Sequence, residues 1–437
     1  MLTSLYSAIS GLQAHTNKLD VIGNNIANVN TTGFKSSRVN FTTVLNQTIK
    51  GATSPQEGRG GTNPQQVGLG VKIGSINQNM TQGSPQSTGV STDLSLQGDG
   101  FFVLDNGGSK VYTRSGATAF DEEGYLVNSA NGLYIQGWMA RSDLDGDGKR
   151  DVNINGDLEP ISLTSSMPAS ATENINYTGN LDASSEINKT HTTSISVYDS
   201  LGTKHTVNLE LEKTADNTWD YTIASSDNGT DIVDAGTSTG TLVFDSDGNL
   251  ESINGTNLDG NGNGSITDAE LEAALPKLII NPTGGAAANQ EITLNFSEFT
   301  QYGDVSMSAK ADTVDGYAAG ELEGIEIDSA GVITGSYNNG RLDTIGQIAV
   351  ATFNNPAGLS QEADTMYAES NNSGQPVIGI AGVGSAGVIS PGTLEMSNVD
   401  LSSELTEMIT TQRGFQANSK VITTADQILE QLVNLKR

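Results

Sequence analysis

The sequence predicts an α + β multidomain protein, with terminal α-helices around two mainly-β domains nested between them. Apolar residues recur near both ends at steps of three, four and seven residues, and the interior holds short alternating strands. The 51 glycines supply turns between those strands. Heptad-like apolar steps describe helices that bury a seam against another helix, whereas period-two alternation describes half-buried strands. The two patterns divide the chain into helical ends and a β interior.

The apolar stripes at the two ends predict the surfaces through which the chain assembles. A solitary helix cannot bury such a stripe, so each one needs another helix as its partner. We predict helices over residues 2–28 and about 399–435, ordered when they pack on assembly. The predicted polymerisation residues are Leu2, Leu5, Ile9, Leu12, Leu19 and Ile26 at one end and Leu401, Leu405, Met408, Phe415, Ile422 and Leu429 at the other.

Charge and composition narrow the possible partners. The chain has 51 acidic and 21 basic residues, for a net charge of −30, which disfavours nucleic acid or an anionic membrane. Residues 1–75 hold more basic than acidic side chains, so copies could approach there with least repulsion. The absence of cysteine excludes disulfides and cysteine zinc sites. No apolar run approaches the ~20 residues of a membrane span, and no secretory signal pattern is present.

The interior predicts a nested domain order. The polar stretch 51–61 is expected to be an irregular connection, and a hairpin is predicted across the turn at 199–202. The stretch around 51–66 is interpreted as a hinge and contact element, with an ordinary exposed loop as the alternative. The predicted parts are a helical assembly core with its connecting segment at 1–75 and 395–437, a middle β domain at 76–145 and 311–394, and an inserted outer β domain at 146–310.

Motifs at both ends resemble those of one known family. At the N-terminal end they are Ser10-Gly11-Leu12-Gln13-Ala14, Asn24-Asn25-Ile26-Ala27-Asn28 and Asn30-Thr31-Thr32-Gly33-Phe34-Lys35. At the C-terminal end they are Ser397-Asn398-Val399-Asp400-Leu401 and Gln412-Arg413-Gly414-Phe415-Gln416-Ala417-Asn418. They resemble the terminal signatures of bacterial flagellar rod and hook proteins. The segments 197–202 and 242–245 resemble the outer domain of the hook branch, whereas rod subunits are shorter.

The resemblance implies a structural role and no enzymatic one. A hook subunit polymerises into a curved flexible tube, a universal joint that transmits torque from rod to filament outside the cell. The terminal helices would form its coiled-coil-like inner layer. Export would use the flagellar type III apparatus without a cleaved signal peptide. Implied partners are other copies, the distal rod, the hook cap, the length-control protein and the hook–filament junction proteins. A distal rod or other axial subunit is the alternative.

Two acidic loops predict calcium sites on the residues alone. The first has the twelve-residue EF-hand pattern at 259–270, with glycine at its sixth position and glutamate at its twelfth. The second, at 143–151, has alternating aspartates but isoleucine at the twelfth position, so Asp157 or Glu159 would have to help. Plain acidic turns without an ion are the alternative. The predicted ligands are Asp259, Asn261, Asn263, Ser265, Thr267 and Glu270 in the first loop and Asp143, Asp145, Asp147 and Asp151 in the second.

Catalytic interpretations have little support in the sequence. The three histidines, His15, His191 and His205, show no metal-type spacing, and His15 is expected to face solvent or an assembly partner. The chain has no Gly-x-Ser-x-Gly elbow, phosphate-binding loop or cysteine nucleophile. A secreted calcium-dependent adhesin or hydrolase stays open only because of the acidic loops. No cofactor besides calcium is expected.

Overall fold

The computed structural model describes residues 2–55, 58–142, 150–225, 238–258, 274–282, 285–303 and 305–434, which divide into two compact units. The first unit contains both termini and comprises 1–163, 325–334 and 343–437. The inserted unit comprises 164–324 and 335–342, so it begins and ends later than the predicted span 146–310. The finer division of the first unit into a helical part and a middle β domain stays a prediction.

A long helix lies at each end of the chain, with strands between them. Helix α1 spans Leu2–Ala27 and helix α2 spans Leu401–Asn434, each within two residues of its predicted bounds. No helix among the described residues has the length and apolarity that a bilayer span requires. The strands of the first unit up to the insertion are β1 (Ser37–Thr43), β2 (Asn46–Lys50), β3 (Gln65–Gly68), β4 (Val71–Gln78), β5 (Pro85–Ser87), β6 (Leu94–Gln97), β7 (Phe101–Asn106), β8 (Ser109–Thr113), β9 (Thr118–Phe120), β10 (Leu126–Asn128), β11 (Tyr134–Ser142), β12 (Asp151–Val152) and β13 (Glu159–Pro160).

The remaining strands continue through the insertion and return to the first unit. The strands of the insertion are β14 (Ser166–Met167), β15 (Asn174–Asn180), β16 (Thr190–Tyr198), β17 (Lys204–Ala215), β18 (Thr218–Ser225), β19 (Thr239–Phe244), β20 (Leu250–Ile253), β21 (Thr256–Asn257), β22 (Lys277–Ile280), β23 (Gln290–Thr300) and β24 (Lys310–Val314). The chain then forms β25 (Gly320–Ile327), β26 (Val332–Tyr337), β27 (Leu342–Thr352), β28 (Ser360–Gln361), β29 (Met366–Ala368), β30 (Val377–Ile380), β31 (Val388–Pro391) and β32 (Thr393–Glu395).

The first unit is built on an antiparallel sheet. Its strands lie in the order β27-β11-β7-β8-β29-β28, so three strands from before the insertion lie between strands from after it. The hairpin β7–β8 buries Phe101, Val103 and Tyr112 beside Trp138 and Tyr367. This shared core joins residues about 250 positions apart and places the roots of both terminal segments on one body.

The inserted unit has a separate core between two sheets. One is a six-stranded antiparallel sheet in the order β16-β17-β18-β19-β20-β21, and the other has the order β22-β23-β15-β24. Strand β17 alternates buried and partly exposed residues, with Val207, Leu209 and Leu211 in the core. The predicted hairpin at 199–202 is confirmed, since β16 pairs with β17 from Tyr198 opposite Lys204. The Asp199 carboxylate accepts backbone hydrogen bonds within that turn.

The segment between β1 and β4 is a projecting two-stranded ribbon. Strands β2 and β3 pair antiparallel, and Thr53 and Thr62 bridge the chain nearer the tip. The described residues of 51–61 contain no regular strand, as expected, but the bridge organises them more than an irregular connection requires. Every residue of β2 and β3 is exposed, including Ile49 and Val67. The role of this stretch as a hinge stays a prediction.

A buried carboxylate joins the two terminal segments to the sheet. Glu395, at the end of β32, is 1% exposed, and its Oε1 accepts hydrogen bonds from Lys35 Nζ at 2.5 Å and Gly83 N at 2.8 Å. Its Oε2 lies 3.4 Å from Arg114 Nη1. Burial lowers the pKa of Lys35, and the charge of Glu395 partly offsets this. The carboxylate therefore stabilises two buried cations, because a buried charge without a partner is costly.

Replacing Glu395 with alanine is expected to lower the free energy of unfolding of the first unit by about 3–5 kcal/mol, since both cations lose their partner. In a Trp219→Phe background, the fluorescence of Trp138 follows the urea transition of the first unit alone. The matched control is Glu159→Ala, measured with chelator, which removes the exposed Arg141–Glu159 pair and should cost about 1 kcal/mol or less. Equal losses in the two variants would contradict the role given to Glu395.

Candidate functional site

The two terminal helices pack against each other as an antiparallel pair. Gly11 of α1 lies beside Asn418, and Lys18, further along α1, pairs with Glu407 at 3.0 Å. Still further along, the Asn25 side chain donates to Glu404 Oε1 at 3.0 Å. Positions therefore rise along one helix as they fall along the other. The two sequence-predicted helices are partners within one chain.

Two glycines set how closely the helices approach. A Cβ atom on Gly11 would lie 2.7 Å from Asn418 Nδ2, and one on Gly414 would lie 2.8 Å from the His15 ring. Carbon atoms normally keep about 3.5–4.0 Å apart, so larger residues would force the helices to separate. Both glycines belong to the terminal motifs. Their conformational cost within a helix is offset by the close packing that they allow.

The seam of the pair is made mostly of small residues. Those buried along it include Ala8, Ala14 and Ile22 on α1 and Thr411 and Ala425 on α2. The apolar stripes predicted from the sequence lie beside this seam. Leu5, Leu12, Leu19, Ile26, Met408, Phe415 and Ile422 are half-buried, whereas Ile9, Leu401, Leu405 and Leu429 are exposed, and the side chain of Leu2 lies outside the described atoms.

Polar groups fix the root of the helix pair. Asn25 is 1% exposed, and its side chain both donates to Ser37 O at 2.9 Å and accepts from Ser37 N at 3.0 Å. Because the same side chain reaches Glu404, it ties α1, β1 and α2 together. The Asp400 carboxylate caps the start of α2 by accepting from Ser402 N at 2.9 Å. Burial raises the pKa of Glu404 above its ordinary value, and Glu407 adds to this.

The turn that leaves α1 explains another motif glycine. Gly33 has a φ of +69°, which side chains with a Cβ rarely adopt. A Cβ there would also lie 2.5 Å from Ser115 N. The Gly33 N–H donates to Glu395 O at 2.8 Å, so the turn delivers the chain to the buried ion cluster. The motif therefore encodes how α1 joins the β sheet.

His15 lies half-buried at the seam between the two helices, and whether it also meets an assembly partner stays a prediction. Its ring packs against Gly414 and meets Phe41 of β1 edge-on, with ring centroids 5.7 Å apart. Its Nδ1 is buried and has no hydrogen-bond partner among the described residues. Burial lowers the pKa of His15, and the charge of Lys18 lowers it further. Sequence reasoning placed Asn25, Gly11 and Gly414 in the terminal motifs but did not predict their contacts between the helices.

The helix pair exposes large apolar side chains on more than one face. Tyr6 is 66% exposed and Ile409 is 55% exposed, and Val421 and Ile428 are also exposed. A groove of about 490 Å³ between the helices is lined by Ser4, Ala417, Lys420, Val421, Thr424, Ala425 and Ile428. Exposed apolar side chains beside such a groove are typical of an interaction site.

The predicted metal residues fall mostly outside the described part of the chain. Asp143, Asp145 and Asp147 lie there, as do Asp259, Asn261, Asn263, Ser265, Thr267 and Glu270. Asp151 is half-buried in β12, opposite Ser142, and Glu159 pairs with Arg141 at 2.5 Å. No cluster of histidine and carboxylate side chains suited to a metal occurs among the described residues. The calcium sites therefore stay predictions.

Comparison with known proteins gives four family matches in chain order. Residues 5–35 match "Flagella basal body rod protein" and residues 95–180 match "Flagellar hook protein FlgE/F/G D1 domain". Residues 164–317 match "Flagellar basal body protein FlaE D2 domain", which coincides with most of the inserted unit. Residues 390–435 match "Flagellar basal body rod FlgEFG protein C-terminal".

Full-length relatives agree with the family matches. Proteins named "Flagellar hook protein FlgE" from Borreliella burgdorferi and Treponema pallidum are each 42% identical, with all of this chain and all of each relative covered. A crystal structure of Helicobacter pylori flagellar hook protein FlgE2 matches with a TM-score of 0.50 at 13% identity, covering 71% of this chain and 100% of that one. It supports the fold of terminal helices and mostly β units. On this evidence, the chain belongs to the FlgE family of flagellar hook proteins.

Proposed function

We propose that this hook subunit polymerises into the curved, flexible tube that transmits torque from rod to filament. In this proposal the helix pair of each copy packs against those of its neighbours as a coiled-coil-like inner layer. The β units form the outer layers. Assembly takes place outside the cell after export by the flagellar type III apparatus. The distal rod, the hook cap, the length-control protein and the junction proteins are the further partners, and the role is structural rather than catalytic.

The observation that carries the proposal is the exposed apolar surface of the helix pair. Eight large apolar side chains of the two helices are exposed, namely Tyr6, Ile9, Leu401, Leu405, Ile409, Val421, Ile428 and Leu429. Fully burying one such side chain contributes about 1.5–3 kcal/mol. These side chains are 37–66% exposed, so burying all eight contributes about 5–11 kcal/mol, which is comparable with an association cost of about 4–15 kcal/mol. The predicted stripe residues beside the seam are half-buried and available for the same contacts.

Removing the helices tests whether they carry assembly. A chain shortened to residues 29–399 is expected to keep its β units folded but to stay in the supernatant on ultracentrifugation. Electron microscopy of the full chain under the same conditions should show curved tubes, and straight tubes would instead indicate a rod-type subunit. Polymer formed by the shortened chain would refute the proposed role of the helices.

A single substitution tests the close approach of the helices. Gly414→Leu should reduce the pelleted fraction strongly, because overpacking the seam against His15 costs about 1–3 kcal/mol per copy. The matched control is Gly23→Leu on α1, where no atom lies within 4 Å of the added Cβ. Both changes improve helix propensity by a similar amount, so only packing separates them. Equal pelleting of the two variants would show that the seam does not support assembly.

We also propose that the two acidic loops bind calcium. The residues that flank the first loop, Leu258 and Ala274, are both buried in the core of the inserted unit, so the chain is fixed on either side of the predicted site. Arg150, which lies within the second motif, pairs with Asp343, Nε to Oδ2 at 2.6 Å. The charge of Arg150 is therefore neutralised by a carboxylate outside the motif. Affinity on the order of 0.1–1 mM suits an extracellular site.

Calcium at about 5 mM is expected to raise the melting temperature of the inserted unit by a few degrees, following the linkage between binding and stability. In a Trp138→Phe background, Trp219 reports on this unit alone. Glu270→Gln should remove most of the rise, whereas Glu251→Gln, at an exposed carboxylate of β20, should keep it. Melting that does not respond to calcium, to chelator or to Glu270→Gln would end the calcium proposal.

A further inference from the structure

We infer that His15 makes the terminal helix pair sensitive to acid, so that the assembled tube loosens as the pH falls below about 6.5. The inference concerns regulation of the helix pair and rests on the assembly proposed above. It starts from the position of one half-buried imidazole in the seam between the helices, with its Nδ1 turned away from solvent. The ring lies where a Cβ on Gly414 would approach to 2.8 Å, and Phe41 closes another side.

The groups around His15 offer a proton little stabilisation. Its Nδ1 is buried without a hydrogen-bond partner among the described residues, so an added N–H would have no acceptor there. Lys18, one turn along α1, is a like charge that opposes protonation. Glu407, the α2 carboxylate that reaches this stretch of α1, is already paired with Lys18 at 3.0 Å. A positive charge on the His15 ring is therefore not neutralised by Glu407, because that carboxylate already pairs with Lys18.

The other elements that pack here add no compensating anion. Strand β1 presents the uncharged Phe41, and β4, which pairs with β1, carries Lys72 opposite Thr42. On α2 the neighbour of Gly414 is Arg413, which is exposed. Glu404 lies further along the pair, bonded to Asn25. Its raised pKa means that acid protonates it more readily in the folded pair, which opposes the effect of His15 and makes His15 the destabilising group.

The sign of the pH dependence follows from proton binding. Burial and Lys18 lower the pKa of His15 in the packed pair below its ordinary value of 6.5. Separated helices therefore bind the proton first as pH falls, and acid draws the equilibrium toward them. Stability is complete above about pH 6.5 and is lost as the pH falls toward the lowered value. A histidine that stayed neutral in the pair would weaken it at pH 5.5 by at most about tenfold.

The test measures the critical concentration of the full chain at pH 7.5 and 5.5 by sedimentation. The wild type should show a several-fold rise on acidification, within the tenfold bound, and His15→Gln should reduce that rise. The control is His191→Gln, which changes a histidine of the inserted unit that is hydrogen-bonded to Ala309 O. This variant should show the same rise in critical concentration as the wild type. A rise that is the same in wild type and His15→Gln overturns the inference. Failure of the wild type to polymerise at pH 7.5 instead overturns the proposed function.

A second measurement covers the case in which His15→Gln does not assemble. Solid-state NMR of wild-type polymer labelled with ¹⁵N-histidine reports the protonated fraction of each ring directly. At pH 6.5 an unperturbed histidine is half protonated, so less than half protonation of His15 supports the inference. If His15 is half or more protonated at that pH, the inference is overturned, regardless of the results with the variants.

Discussion

The buried Glu395 carboxylate fixes where both terminal segments leave the β sheet. It holds Lys35, which follows α1, and Arg114 of the sheet hairpin, and it stands six residues before α2 begins. Burying the two cations without that anion would cost several kcal/mol of folding free energy. The fold is therefore stable only when the three side chains lie together. Asn25 extends the same constraint into the helices by joining α1, β1 and α2. The orientation of the helix pair thus depends on polar contacts at its root.

In the helix pair, small residues and large apolar residues occupy different surfaces. Small side chains and two glycines make the seam within the chain, where close approach matters more than buried area. Large apolar side chains lie beside and outside the seam, where the same chain cannot cover them. In a monomer, close packing of the small seam residues therefore holds the two helices together. The large apolar side chains outside the seam stay exposed. This arrangement suits a subunit whose apolar surface is satisfied by neighbours.

Sequence periodicity predicted the elements of the fold but not the contacts between them. Both helices, the hairpin at 199–202 and the nested order came from local patterns, which depend on neighbouring residues alone. Lys35 and Glu395 are 360 positions apart, and no periodic pattern in the sequence indicates that they pair. The heptad rule selected large apolar residues, whereas the seam uses Gly11, Gly414 and alanines, which carry a weaker signal. His15 was expected to face solvent or an assembly partner, and its contact with Gly414 could not be predicted because nothing local distinguishes a seam histidine from an exposed one.

The antiparallel pairing of the two ends also constrains the order of folding. The hydrogen bond between Asn25 and Glu404 closes a loop of 379 positions, among the least local contacts in the chain. A chain that emerges from its N-terminus onward presents α1 long before its partner exists. The inserted unit, whose contacts are more local, can form in the meantime. An unfinished chain therefore lacks the completed helix pair, which exists only once residues from both ends are present.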